Sequence, residues 1–402
     1  MLFWMMPDSG SNTKKDFENF LLPFKKANPG INIKVEYITR HNLWNKLFLL
    51  RFEKNPGQLP DIIEIPHTWT PVLTASDLIE NLSELEPSLT VNKYLAPLVS
   101  HCYKQGTKDI YSLPWWLDVM ALHYRADHLA TVSKNPEADL GTWQGMLDIC
   151  ARLKTEFAHD PNYYPIQNSD WRGNLSVRSI LPCIWGRGSD LFSHDGSRCN
   201  FTEPAFIDGL EDYIKLADRG YLPVLRERGS VGTMVSGRAS LFITRRQGLS
   251  MFEATKTPFQ INTLNVPATG KESVSFLSGI NLVITKSSSK KEEALKFLNW
   301  LMTREAQLKY ASLMEAFPAV EDTFDEFIFS SPKRMVIYAK IIATARTIST
   351  NMVAASATKM INEVLEKVSM EIINGRYDRE FLERELVPIS KEADYLLNLY
   401  GG

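Results

Sequence analysis

The amino-acid sequence predicts an α/β protein with a parallel sheet at its start, and three observations carry that prediction. Short apolar runs, "LFWMM", "INIKVEY" and "DIIEI", are separated by amphipathic helical stretches, which is the β-α-β-α-β order of a parallel sheet covered by helices. With 402 residues, 44% hydrophobic and 23% charged, the composition is that of a globular protein long enough for two or three domains of roughly 100–200 residues. No apolar run approaches the roughly 20 residues that would span a bilayer.

The elements follow in order. A capping signal at Thr13-x-x-Asp16 opens a first helix that gathers Phe17, Phe20, Leu21 and Phe24 on one face, and Asn28-Pro29-Gly30 ends it. Ile31, Ile33, Val35 and Tyr37 then alternate with polar residues as in a half-buried strand. A second helix, about Leu43 to Glu53, leads through Asn55-Pro56-Gly57 into "DIIEI", a continuous apolar run suited to a central parallel strand. Further on, Thr142-Trp143 opens a helix through Leu153, and Glu203-Pro204 starts another with Phe206, Leu210, Tyr213, Ile214 and Ala217 inward, stopped by Gly220. "SFLSGINLVIT" reads as a strand, and Ser289-x-x-Glu292 as the capping box of a helix that buries Ala294, Phe297, Leu298 and Leu301. Beyond Pro332 the pattern is helical over about 333–348 and 354–373, with no internal repeat or low-complexity tract.

Charge and motifs narrow the function. Lys plus Arg number 45 against 47 Asp plus Glu, so no bulk electrostatic pull toward nucleic acid or anionic lipid exists. HExxH, GxSxG, GxGxxG and P-loop patterns are missing, and His123 and His128 have the wrong interval for one helix face, so neither a metal nor a cofactor is implied. No acidic pair is singled out as a glycosidase dyad. Cys102, Cys150, Cys183 and Cys199 lack metal-ligand spacing; they form either one bridge, such as Cys183 to Cys199, or four buried thiols. The opening "MLFWMM" is short, lacks a basic flank and runs into Pro7-Asp8-Ser9-Gly10, so it reads as a first buried strand, with any export signal already removed.

Two features point to a ligand. In "LPWWLDV", neighbouring strand side chains face opposite ways, so Trp115 and Trp116 are not expected to fill one core together, and one should face something else. In open α/β sheets ligands sit beyond the carboxyl ends of strands, which makes Asp8 and Ser9 after the first strand, and His67 and Trp69 after "DIIEI", site candidates.

The ordered set "LFWMMPDSG", "FKKANPGINIKVEY", "PDIIEI", "IYSLPWWLDVMALHYRADHL", "GTWQGMLDIC", "SGRASLFI", "LNVPATG" and "FLSGINLVITKSSSKKEEALKFLNWLMTREAQ" resembles the extracellular solute-binding proteins of sugar ABC importers, the group that includes maltodextrin-binding proteins. The resemblance runs from the first strand to about Phe317-Pro318 and more weakly to the end. It implies a two-lobe periplasmic-binding-protein-like type II fold with the ligand in a cleft and three crossings between lobes. Residues 1–112 and 268–315 would form the N-terminal lobe, 113–267 and 316–402 the C-terminal lobe. The crossings would fall near Leu113-Pro114, Val266-Pro267 and Phe317-Pro318, where proline keeps a hinge extended.

The resemblance also implies ligand contacts. Trp115 or Trp116 would offer a flat face to a pyranose, and Asp118 would accept from its hydroxyls, unless it serves as a helix cap or surface ion pair. Trp44 either touches ligand or packs with Leu47 and Phe48. Asp170, Trp171 and Trp185 match second-lobe stretches that contact ligand in relatives. Arg245, Arg246 and Gln247 stand where the family commonly has an aromatic, which makes an acidic sugar conceivable. Ser278-Gly279 replaces the usual Gly-Gly, small residues that let a backbone approach a ligand. Arg346 and Asn351 fall where relatives carry a proline-rich segment with an aromatic contact. The implied protein is a non-catalytic, monomeric receptor, periplasmic or lipid-anchored outside the cytoplasm, that delivers a mono- or oligosaccharide to the transmembrane subunits of an ABC permease. Alternatives on the same fold are polyamine or ferric iron, the latter through paired tyrosines such as Tyr163-Tyr164. A glycan-acting enzyme is the remaining rival.

Overall fold

The computed structural model describes residues 1–7, 14–49, 59–168, 175–224, 230–246, 248–249, 252, 257–330 and 335–400. The expected contacts Asp8, Ser9, Asp170, Trp171 and Gln247, and the Thr13 cap, lie outside the described residues. The chain divides into two compact units, Met1–Asp118 with Ser278–Pro332 and Val119–Leu277 with Lys333–Gly402, and so passes from one to the other three times.

In the first unit, strands β1 (Leu2–Met5), β2 (Lys34–Tyr37) and β3 (Ile62–Pro66) are parallel with β1 central, the arrangement a β-α-β-α-β start dictates. Helices α1 (Lys14–Phe20) and α2 (Leu22–Ala27) connect β1 to β2, and α3 (Arg40–Leu49) follows β2. The single helix read from the Phe17–Phe24 stripe is therefore two. Pro23 explains the break, because a prolyl nitrogen is tolerated only in a helix's first turn. The stripe still packs as predicted: Phe17 lies 6.2 Å from Phe3 of β1, and Phe24 4.9 Å from Phe297 on the helix Lys291–Leu301. That helix buries Ala294, Phe297, Leu298 and Leu301, but Ser289 does not cap it. Ser288 takes the local role instead, its Oγ accepting from Lys290 N at 3.1 Å and donating to Asp61 Oδ1 at 2.6 Å.

Strand β4 (Leu113–Arg125) is 13 residues long and buried at every position. Its first half belongs to the first unit, where Trp116 and Leu117 pair antiparallel with Pro318 and Phe317 of a short strand, Phe317–Pro318. Gln307 locks this corner, donating to Trp115 O at 2.9 Å while its Oε1 accepts from Ala319 N at 2.9 Å. Residues 316–332 consequently group with the first unit and not with the second, where the expected boundary placed them. The later strand Leu277–Ile284 runs antiparallel to β3 from Ile280 onward. Both long strands continue through the unit boundary, so the chain passes over at 118/119 and 277/278, and Pro114 and Pro267 stand inside units rather than at crossings.

In the second unit, Met120–Tyr124 of β4 pairs antiparallel with Leu241–Arg245, and Leu122–Arg125 with Ile261–Leu264; Ile166–Asn168 adds a parallel strand beyond Leu241–Arg245. The helix Trp143–Glu156 starts on the Thr142 cap, whose Oγ1 accepts from Gly145 N at 3.1 Å. The helix Pro204–Asp218 buries the predicted face, and Gly220 ends it at φ +65°, in the left-handed region. Two C-terminal helices, Ala354–Ile373 and Arg379–Tyr400, complete the unit. All four cysteines are unbridged and buried, and burial pushes their thiols up.

Two buried histidines of this unit give an acid sensitivity. Burial pulls His123 down to about 3, and burial followed by the Arg125 charge pulls His128 down to about 4. Both are therefore neutral when folded and regain an ordinary pKa of about 6.5 when unfolded. Their stabilising contribution is complete above about pH 6.5 and is lost as pH falls from there toward 4. Calorimetric Tm should be flat from about pH 8 to 7 and decline progressively below about 6.5; a Tm unchanged down to about pH 4.5 would refute this assignment.

Candidate functional site

The tandem tryptophans do not form a platform. Trp115 is 1% exposed and Trp116 2%. Trp115 stacks on Tyr310 at 4.0 Å and 11°, with Phe17 edge-on at 6.4 Å and Phe3 at 6.0 Å. On the other face of the strand, Trp116 Nε1 donates to Glu64 Oε1 at 3.3 Å. The expectation that one indole must face outward presumes a sheet buried on one side only, whereas β4 is covered on both. Asp118, one turn of the pleat later, is fully buried, and its carbonyl accepts from Ser278 Oγ at 3.4 Å.

His67 and Gly279 are also brought together, as packing. His67 is buried and its Nδ1 lies 2.6 Å from Gly279 O and 2.8 Å from Gly279 N. A Cβ on Gly279 would fall 2.7 Å from Leu98 Cδ2 and 3.2 Å from His67 Nδ1, so the missing side chain serves a close internal approach instead of ligand access.

What the first unit does assemble lies beyond the carboxyl ends of its parallel strands. Trp69 closes the 3₁₀ turn after β3, and Trp44 reaches it from α3 with ring centroids 4.8 Å apart and planes at 61°. Arg40, four residues before Trp44 and so on the same helix face, sets its guanidinium 5.6 Å from the Trp69 ring centre. Trp69 is 9% exposed, whereas Trp44 and Arg40 are half-buried and keep surface for a ligand. Beside the ends of β1 and β2 is a recess of about 180 Å³ lined by Met5, Met6, Pro7, Lys14, Tyr37, Tyr310 and Met314. Burial, then the charges of Glu18 and Glu64, pushes the Tyr37 phenol up to about 12, so Tyr37 stays a neutral donor and acceptor. Arg40, Lys14 and Tyr37 escape the sequence reading, although Tyr37 ends a strand and Arg40 precedes Trp44 by one helical turn.

The second unit joins Trp185 and Arg346, 161 positions apart in the chain. Arg346 Cζ stands 5.1 Å from the Trp185 ring centre, and Phe276 lies parallel to that ring at 6.1 Å. Arg346 Nη2 donates to Asp190 Oδ2 at 2.5 Å. Asp190 and Arg346 both line a recess of about 320 Å³ together with Ser189, Phe192, Asn200 and Ser349. Trp185 is 3% exposed, so the accessible element here is the guanidinium, not the indole. Arg246 is half-buried after Leu241–Arg245, and Asn351 turns its amide to Gly196 O at 3.2 Å.

The iron reading loses Tyr163 as a ligand. Tyr163 is buried, stacks on Phe157 at 4.7 Å and bonds Ser240 Oγ at 2.5 Å, which is packing. Among the described residues, no group of three or more His, Cys, Asp and Glu is placed to hold a metal.

A chain that passes three times between two α/β units has the two-lobe fold of the periplasmic binding proteins. The chain belongs to the bacterial extracellular solute-binding protein family, whose model matches residues 20–334. A diacetylchitobiose-binding protein of Streptomyces coelicolor is 23% identical over 322 residues, covering 73% of this chain and 67% of that protein. The sugar-binding protein MalE of Xanthomonas citri superposes with a TM-score of 0.80 at 18% identity, over 99% of this chain and 97% of its own. An ABC transporter solute-binding protein of Thermotoga lettingae, solved with α-D-tagatose, gives 0.81 at 18%, over 98% and 99%. Membership places the protein's work outside the cytoplasm, and no helix among the described residues is long and apolar enough to cross a membrane.

Two substitutions test the packing roles. Trp115→Ala should lower stability by about 3–5 kcal/mol, the cost of emptying a large aromatic site. Gly279→Ala should cost about 1–3 kcal/mol by overpacking against Leu98 and His67. Both are read by denaturant titration, and a Trp115→Ala midpoint equal to the parent's would return that residue to the list of ligand contacts.

Proposed function

We propose that this solute-binding protein captures a carbohydrate, without chemically altering it, and delivers it to the transmembrane subunits of an ABC permease. The observation that carries the reading is the Trp44–Trp69–Arg40 group past the strand ends of the first unit. A half-buried indole offers its face to the C–H side of a sugar ring, while an adjacent guanidinium donates to the hydroxyls. Arg346, backed by the buried Trp185, supplies a second guanidinium donor from the second unit. The relatives named above bind diacetylchitobiose or sugars, which supports the substrate class. The protein acts as a monomer, soluble in the periplasm or held to the membrane by a lipid.

Isothermal titration against maltotriose, N,N′-diacetylchitobiose and D-tagatose should show saturable binding to at least one, with chromatography detecting no product after prolonged incubation. Turnover would instead make the protein an enzyme. Stacking platforms are worth about 1–3 kcal/mol by analogy with base–aromatic contacts, so Trp44→Ala should weaken binding about 5- to 150-fold. Unchanged affinity in that variant would remove the first-unit cluster from the site.

A further inference from the structure

Arg346 is tethered both at its backbone and at its guanidinium. Its backbone N donates to Ser275 O at 2.9 Å and its carbonyl accepts from Leu277 N at 2.8 Å. Its guanidinium faces the Trp185 ring, and Nη2 is tied to Asp190. Asp190 is itself locked, because its other oxygen accepts from Leu191 N at 2.8 Å. The Arg346 side chain nonetheless keeps 46% of its surface, so donors remain for a ligand in the recess. Glu203, on the same recess, is engaged by Arg198 at 2.6 Å.

The charges of this recess therefore cancel, and that decides what it accepts. A bare guanidinium favours carboxylate and phosphate through bidentate, charge-assisted bonds. With Asp190 already on it, an incoming anion finds one edge occupied and a fixed carboxylate beside the rest, and like charges brought together weaken binding. A neutral hydroxyl suffers no such penalty: it can accept from the free N–H groups and donate to Asp190. Resting on the carbohydrate reading, we infer that Asp190 is a specificity-determining residue, which neutralises Arg346 so that the second-unit recess takes an uncharged, hydroxyl-rich sugar unit and rejects a uronic acid.

The test compares the full chain with Asp190→Asn and with Asp190→Asn/Arg346→Gln, titrated with maltotriose, N,N′-diacetylchitobiose, D-glucuronate, digalacturonate and inorganic sulfate. The parent should prefer a neutral sugar to both uronates. Asp190→Asn should gain at least about tenfold for a uronate and for sulfate, a gain that salt reduces and the second substitution removes. A merely structural role for Asp190 would lower affinity for every probe alike. A parent that prefers a uronate, or an Asp190→Asn chain that gains nothing for either uronate or sulfate, overturns the inference. Should no neutral sugar bind the parent, the carbohydrate reading fails by itself, while the sulfate titration still reads the charge cancellation: a gain sustains it and no gain ends it.

Discussion

Burial of β4 on both faces is the constraint from which the rest of the structure follows. A strand covered on both sides has no exposed edge of side chains on which to place polar groups, so each one must be satisfied internally or incur a desolvation cost. Glu64, buried on β3, shows how this is met: one oxygen accepts from Met6 N at 2.8 Å and the other from the Trp116 indole. Asn281 does the same on Leu277–Ile284, its amide donating to Ser112 Oγ at 2.8 Å and His101 O at 3.2 Å. These bonds hold polar groups inside the sheet.

The same constraint sorts the aromatic residues. An aromatic within a doubly covered strand is committed to packing, as Trp115 against Tyr310 is. Groups that can meet a ligand must come from segments that have left the sheet, where one side of the ring is no longer covered. Arg40 and Trp44 on α3 in the first unit and Arg346 after the helix Val336–Thr344 in the second satisfy that condition, each half-buried or exposed, while Tyr37 closes β2 half-buried at the sheet's end.

This also explains what was legible in the sequence. The alternation of short apolar runs with amphipathic stretches places β1 to β3, and the helix over 354–373 emerges at its predicted residues because a 3.6-residue period sustained for 20 residues has no competing reading. Local chemistry was less faithful: Pro23 splits the first helix, and Ser288 takes a role assigned to Ser289. The tandem tryptophans were misread because strand alternation states that neighbours face opposite ways and says nothing about whether both sides are covered. His67 with Gly279 and Asp190 with Arg346 could not be seen at all, since they meet across 212 and 156 positions of chain and no local pattern records such a meeting.

The arginine sites raise a final point about affinity. A long, flexible cation loses much rotamer freedom when it orders around a ligand, and that loss subtracts from binding. Arg346 has already lost it, because Trp185 fixes the plane of the guanidinium and Asp190 fixes its rotation within that plane. Arg40 is arranged on the same principle, laid on Trp69 by its place one turn before Trp44. In each unit an indole too buried to be a broad platform thus serves as the backing for a polar group that is not. Hydroxyl-bearing ligands, whose individual hydrogen bonds contribute little net of the water they displace, are the ligands for which such preordering matters most.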